Sequence, residues 1–274
     1  SVPLLEQARA IYASFGADQE DAVANTWLNQ GVGLEGMKDF DAALDAYSNV
    51  LEIWRRLHGD DSAQVGYVVN NVGWVKLQQK HYDEAREWFS YANQVLDLRE
   101  GAYSKNVTII RINLGLIEVE TDNADAAIKW GMAAMPYISA NRAQTLEIQR
   151  WNFEMLSRAF AIKGNSERAI FFGKMAVNAQ QEFRASNTVT GASDMAASQT
   201  EWGRLYQRLA DLLISEGRIS EAQAVLNMAK EEEVFEFLKR DATAKLTETR
   251  AVLTNAELAD EAKLAALAAA PIAA

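Results

Sequence analysis

Asparagines recur at a fixed interval in the first half of the sequence, at Asn29, Asn71 and Asn113. Successive members are 42 residues apart, and each stands two residues before a glycine. An asparagine side chain offers N–H donors and an oxygen acceptor, so it can pair with the main-chain amide of a bound peptide whatever the peptide's own side chains. The spacing therefore predicts a series of groups that bind a peptide main chain. Asn70, beside Asn71, is counted with them.

Large side chains accompany this series at helical spacing. Trp74 stands one turn after Asn71 and Tyr67 one turn before it. The matching places further along the chain hold Leu116 and then Trp151 and Arg158. An alternative stays open, in which the asparagines bond between neighbouring helices and the aromatic rings fill the core. The predicted contact residues are Asn29, Tyr67, Asn70, Asn71, Trp74, Asn113, Leu116, Trp151 and Arg158.

Catalytic and metal chemistry find little support in the sequence. It contains no cysteine, which excludes disulfides, thiolate metal sites and cysteine nucleophiles from this chain. The two histidines, His58 and His81, do not have ligand spacing on one helix face. The glycines of the stretch 31–36 match the letters of a dinucleotide fingerprint, but no strand precedes them. We therefore predict no catalytic residue, no metal, no cofactor and no enzymatic activity of this chain.

Charge and hydropathy narrow the range of partners. Acidic residues outnumber basic ones by 38 to 27, giving a net charge of -11 that disfavours a grip on phosphate backbones. The longest apolar tail, residues 264–274, is about half the roughly 20 residues that a membrane helix needs. We predict no nucleic-acid partner, no membrane segment and a cytoplasmic location, with an exported location left open.

The elements that must position these residues follow from an internal repeat. Alanines that open a second helix recur with steps of 42, 42, 42 and 53 residues, at Ala43, Ala85, Ala127, Ala169 and Ala222. Each follows a small residue that lets two antiparallel helices approach, namely Gly31, Gly73, Gly115, Ser157 and Ala210. Alternating β-branched runs are absent, so the sequence predicts an all-α fold.

The frame that runs from Trp27 through Gly31, Phe40 and Ala43 to Tyr47 resembles a tetratricopeptide repeat. The length of 42 is similar to the long repeats of kinesin light chains. The resemblance implies a superhelical solenoid of helix-turn-helix repeats, whose first helices line a concave surface with the asparagine position facing the groove. Pro136 is expected to end or kink its helix.

This frame divides the chain into three parts. Residues 1–16 are predicted to be an orphan second helix of a truncated repeat. Residues 21–229 form an array of five repeats, with a polar loop near 186–200. Residues 230–274 are predicted to be a capping helix and a linker tail.

The segments 205–228 and 233–241 resemble bacterial CHAT proteins, in which a tetratricopeptide region precedes a caspase-like cysteine protease domain. The resemblance implies a non-catalytic recognition or regulatory arm that binds a protein or peptide segment in its groove and acts on a downstream CHAT protease domain. Two other functions stay open: a sensor of short peptides and a self-assembling structural scaffold.

Overall fold

The computed structural model describes residues 2–16, 19–186, 195–238 and 250–266, and within these ranges all regular secondary structure is helical. The helices are α1 (Val2–Ser14), α2 (Glu20–Gly36), α3 (Phe40–His58), α4 (Ala63–Gln78), α5 (Tyr82–Glu100), α6 (Lys105–Glu120), α7 (Ala124–Ala140), α8 (Leu146–Ile162), α9 (Ser166–Ser186), α10 (Met195–Ser215), α11 (Ile219–Leu238) and α12 (Asn255–Ala266), with a 3₁₀ turn over Arg142–Gln144. The prediction of an all-α fold is confirmed.

The helices pair as hairpins in which the small residue of the first helix meets a large residue of the second. A Cβ atom at Gly31 would lie 2.5 Å from Cε1 of Tyr47, and one at Gly73 would lie 2.9 Å from Cδ1 of Phe89. Both rings are fully buried. In the fourth repeat the Ser157 hydroxyl instead donates to the Ala169 carbonyl oxygen, 2.7 Å away. Small residues thus set the close approach of the two helices.

Each first helix ends in the same backbone turn. A residue with positive φ follows the helix at Lys38, Lys80, Asp122, Gly164 and Gly217, and the steps between these positions are again 42, 42, 42 and 53. The next N–H bonds back to a carbonyl five residues earlier, as in Asp39 N to Leu34 O at 3.0 Å and Arg218 N to Leu213 O at 2.8 Å. This is the pattern of a Schellman motif, which satisfies the last carbonyls of a helix.

The chain divides into two compact units, which are treated separately. Unit 1 comprises residues 1–117 and holds α1 to α5 with most of α6. Its core is formed by alternating first and second helices and includes Tyr47, Val69, Phe89 and Leu96. The helix α1, which falls within the predicted orphan segment, packs on α2.

Unit 2 comprises residues 118–274 and holds α7 to α12. Three phenylalanines form the centre of its core: the rings of Phe160 and Phe172 stack with centroids 5.4 Å apart, and Phe153 lies 6.1 Å from Phe172. The last helix, α12, packs on α7. The helix α12 therefore packs on a second helix of this unit, although it is not part of the repeat pattern.

Several segments differ from the sequence expectation. The helix α7 continues past Pro136 to Ala140, so the proline does not end it. Met135 and Ile138 on either side of the proline are buried. α10 begins at Met195, so residues 195–200 are helical, and residues 187–194 of the predicted loop lie outside the described residues. Residues 230–238 continue α11 instead of opening a separate helix, and residues 239–249 and 267–274 also lie outside the described part.

Candidate peptide-binding surface

The first helices of unit 1, α2, α4 and α6, carry most of the predicted contact residues. We call these residues, together with Glu35 of α2, the first-helix surface. It consists of Asn29, Glu35, Tyr67, Asn70, Asn71, Trp74, Asn113 and Leu116. Its three serial asparagines differ in exposure. Asn29 is exposed and Asn71 half-buried, whereas Asn113 retains 9% of its exposed surface.

Three of the amides form a chain of weak hydrogen bonds. Asn113 Nδ2 donates to Asn70 Oδ1 at 3.5 Å, and Asn70 Nδ2 donates to Asn71 Oδ1 at 3.4 Å. Both distances exceed the usual 2.9–3.0 Å of an N–H···O bond, so a better-placed partner can replace them at low cost. The Nδ2 of Asn71, the Oδ1 of Asn113 and the whole amide of Asn29 bond to no other described residue. The surface therefore presents donors and acceptors without strong internal partners.

Trp74 is held in place by a carboxylate beneath it. Glu35 of α2 accepts a hydrogen bond from the Tyr47 hydroxyl at 2.8 Å, and the Trp74 indole N–H lies near the same carboxylate. Burial raises the pKa of the Glu35 carboxyl above its ordinary value, and the two donors counteract part of that rise. The indole is half-buried, so its N–H is used internally while part of the ring remains available for contact.

A second carboxylate joins the other end of α4 to its neighbours. Glu100, at the end of α5, accepts a hydrogen bond from the Tyr67 hydroxyl, and Asn106 of α6 donates to both of its oxygens at 3.1 Å. The hydrogen bond to Glu100, together with burial, raises the pKa of Tyr67 to about 12. The Tyr67 ring is thus oriented by its hydroxyl, while more than a third of the side chain remains exposed.

The remaining predicted residues lie elsewhere. Leu116 is half-buried on α6. Trp151 and Arg158 belong to α8 of unit 2, where Arg158 pairs with Glu120 at 2.6 Å. A cavity of about 330 Å³ opens between α8 and α10 of this unit, and its lining includes Ser157, Arg158, Leu205, Arg208, Leu209 and Leu212.

Two features are absent from the described residues. These residues contain no cluster of three or more histidine, aspartate or glutamate side chains that could hold a metal ion. Among the same residues, no helix is long and apolar enough to cross a membrane.

Comparison with known proteins identifies the repeat. Residues 22–100 match the family model of the tetratricopeptide repeat. The crystal structure of BtubC (BKLC) from P. vanneervenii is similar over 93% of this chain and 96% of that chain, with a TM-score of 0.67 at 14% identity. No curated protein matches the sequence. The predicted tetratricopeptide fold is confirmed, and the resemblance to CHAT proteins stays a prediction.

Tetratricopeptide repeats are in general modules of protein–protein interaction, because stacked repeats present an extended surface for a partner. In this chain the matched residues include α2 and α4 and therefore Asn29, Asn71 and Trp74. The family match thus covers the part of the first-helix surface where the amides have no strong internal partners.

Sequence reasoning missed three residues of these surfaces, and two of them left a signal. Glu35 stands where the next two repeats bury Leu77 and Val119, so a carboxylate at an apolar position indicates an internal partner. Arg208 stands two residues before Ala210, which is the place of the asparagines in the earlier repeats. Glu100 left no signal, because no equivalent acid recurs one period away.

Proposed function

We propose that this chain is a non-catalytic interaction module that binds an extended segment of a partner protein on its first-helix surface. The observation that supports this proposal most is that the asparagine amides have few and weak hydrogen bonds within the described structure. Asn29 and Asn71 offer polar atoms that bond weakly or not at all to the rest of the described structure, whereas Asn113 is largely buried and bonds weakly to Asn70 of the neighbouring first helix. Such atoms suit the main chain of a peptide, whose N–H and C=O groups recur along its length.

Orientation and affinity have separate sources on this surface. Each amide contributes on the order of 0.5–1.5 kcal/mol as a hydrogen bond, which fixes register more than it adds affinity. Trp74 is the apolar anchor, because an aromatic ring held in one orientation loses little entropy on binding. The Glu35 carboxylate near its indole N–H supports that orientation.

The proposal extends to the context in which this module works. The resemblance of segments 205–228 and 233–241 to CHAT proteins supports a role as the recognition arm of a caspase-like protease domain. In that arrangement, occupancy of the groove by a partner segment regulates cleavage by the attached domain. The protease chemistry would lie outside this chain, which has no cysteine.

Peptides selected from a random displayed library against the wild-type chain provide the test of binding. We expect Asn71→Ala to weaken their affinity about threefold to tenfold, and Trp74→Ala by more than about tenfold. Asn49→Ala is the matched control, because this amide bonds only to Asp45 O within its own second helix. Selected peptides that bind all four chains equally, in fluorescence anisotropy, would refute the assignment of the first-helix surface.

Self-assembly is a second candidate function, favoured by one observation. The helix α1 exposes Leu4 and Ile11, and Phe15 directly after it is exposed as well, each by more than half of its surface. Exposed apolar groups on one helix favour association with a second copy of the chain. Light scattering over a hundredfold range of protein concentration separates the two functions, because a mass that stays monomeric excludes the scaffold.

A further inference from the structure

Residues 250–266 lie outside the repeat pattern in the sequence and pack on the second helices of unit 2. A non-helical stretch, residues 250–254, leads into α12. The non-helical stretch contacts α9 through Lys174 and Asn178. The helix α12 contacts Arg218, which directly precedes α11, and Ser139 of α7. The segment therefore contacts the second-helix side of three successive repeats.

The non-helical stretch is bound chiefly through its main chain. Asn178 Oδ1 accepts from Ala251 N at 2.8 Å, and Asn178 Nδ2 donates to Ala251 O at 3.1 Å. Lys174 Nζ donates to the Val252 carbonyl oxygen at 2.7 Å. The Ala251 methyl group is buried, whereas the Val252 side chain is 79% exposed. These contacts select a small residue at one position and accept any side chain at the next.

The helix that follows is anchored by a buried carboxylate. Glu257 is only 4% exposed, and its Oε2 lies 2.9 Å from Nζ of Lys174, which is itself 1% exposed. Arg218 approaches the other oxygen at 3.2 Å. Glu257 Oε2 also accepts from Thr254 N at 2.7 Å, while Glu257 N donates to Thr254 Oγ1 at 3.3 Å, which completes a capping box. One side chain therefore both starts α12 and attaches it to unit 2.

The cations that bind Glu257 have a partner of their own within the repeats. Glu221 of α11 lies 2.6 Å from Lys174 Nζ and 2.7 Å from Arg218 Nε. The second helices thus keep one carboxylate for two cations when Glu257 leaves, which limits the cost of an uncompensated buried charge. Further contacts of the segment include polar, partly exposed ones, such as Arg142 with Glu261 at 3.1 Å. Contacts of this kind exchange with water at modest cost.

We propose that Lys174, Asn178, Arg218 and Glu221 form a second peptide-binding site, separate from the first-helix surface, and that residues 250–266 are its exchangeable internal ligand. We call it the second-helix site. The ligand class follows from the contacts: a short non-helical stretch with a small residue, followed by a helix whose first turn carries a Thr-x-x-Glu capping box. A partner segment with this chemistry binds by displacing the chain's own.

A single spin label on the full chain reports whether the segment is docked. The sequence has no cysteine, so Val252→Cys provides one attachment point at an exposed side chain whose backbone is bound. The nitroxide spectrum of this chain should be dominated by a slow component. Glu257→Gln should replace the slow component by a fast one, because the neutral amide cannot form the ion pair with Lys174. Asp260→Asn is the matched control: it removes the same charge from the same helix, where Asp260 pairs only with Lys263.

Exchange is tested by adding a synthetic peptide of residues 250–266 to the labelled chain without the Glu257→Gln change. At concentrations on the order of a millimolar, comparable with an intramolecular effective concentration, the peptide should raise the fast component. The same peptide with Gln at position 257 should be at least about tenfold less effective, because it loses a charge-assisted hydrogen bond.

Two results would overturn the proposal. If the label is as slow with Glu257→Gln as without it, the carboxylate does not hold the segment. If the peptide neither mobilises the label nor binds the Glu257→Gln chain more tightly than the unchanged one, the segment is a fixed part of the fold and the site takes no ligand. Circular dichroism of each variant separates both results from unfolding of unit 2.

Discussion

Two glycines on α2 show how a single added Cβ atom would affect the packing of a repeat. Gly31 faces Tyr47, so an added Cβ would meet the ring at 2.5 Å, whereas a Cβ at Gly33 would meet nothing within 4 Å. We expect Gly31→Ala to lower the free energy of unfolding by about 1–3 kcal/mol through overpacking. Gly33→Ala should raise it by about 0.5–1 kcal/mol, because alanine loses less backbone entropy in a helix.

Urea unfolding of the two variants beside the wild type measures this difference directly. The two substitutions are identical in chemistry and lie two residues apart on one helix, so each is the control for the other. Equal shifts of the unfolding midpoint would show that the approach of α3 to α2 does not depend on the missing Cβ at Gly31.

Single residues also show which parts of the candidate site could be predicted from the sequence. The asparagine series was found because it repeats, and repetition is visible without coordinates. The carboxylates that orient the aromatic rings, Glu35 and Glu100, each occur in one repeat only. Their partners Trp74 and Tyr67 lie tens of residues away along the chain, so the pairs appear only once α2, α4 and α5 are packed.

At the scale of the element, the turn after each first helix has a left-handed backbone conformation that favours glycine, yet three of the five repeats have another residue there. The turn holds glycine in the fourth and fifth repeats but Lys80 in the second, at φ 62°. A side chain costs about 1 kcal/mol in this region. Lys80→Gly should therefore raise the thermal midpoint of unfolding, by a few degrees for about 1 kcal/mol.

Lys80→Ala is the control for this prediction. It removes the charge and the long side chain but keeps the Cβ atom, so the left-handed strain remains. Differential scanning calorimetry should place Lys80→Ala near the wild type and Lys80→Gly above both. If alanine stabilises as much as glycine, the gain comes from the lost lysine and not from the backbone.

Elements inside the repeat were accessible to sequence reasoning, while the element outside it was not. The recurrence of Ala43, Ala85, Ala127 and Ala169 predicted which helices would pair. The position of α12 depends instead on contacts such as Lys174 with Glu257, which are 83 residues apart. No period connects these two residues, and the alanine-rich composition of the tail predicted only a linker.

At the scale of the whole molecule, the pKa values of carboxylates in the two units are shifted in opposite directions. In unit 1, burial raises the pKa of Glu35. In unit 2, the hydrogen bond from Arg218 lowers the pKa of Glu221 to about 2, with a further contribution from Lys174. Burial opposes ionisation of Glu257 as well, yet the hydrogen bonds from Lys174 and the Thr254 N–H lower its pKa below the ordinary value.

The sign of the effect at the second-helix site follows from linkage. A carboxyl whose pKa is lower in the docked state than its ordinary value of 4.5 stabilises that state fully above 4.5. This contribution is lost as the pH falls below 4.5 and through the lowered pKa of Glu257, because the released segment then binds a proton that the docked one does not. We expect the nitroxide at position 252 to stay slow down to about pH 4.5 and to become mobile below it. In the Glu257→Gln chain the label should be mobile throughout. Release centred above pH 5 would mean that a group other than the Glu257 carboxyl holds residues 250–266 on unit 2.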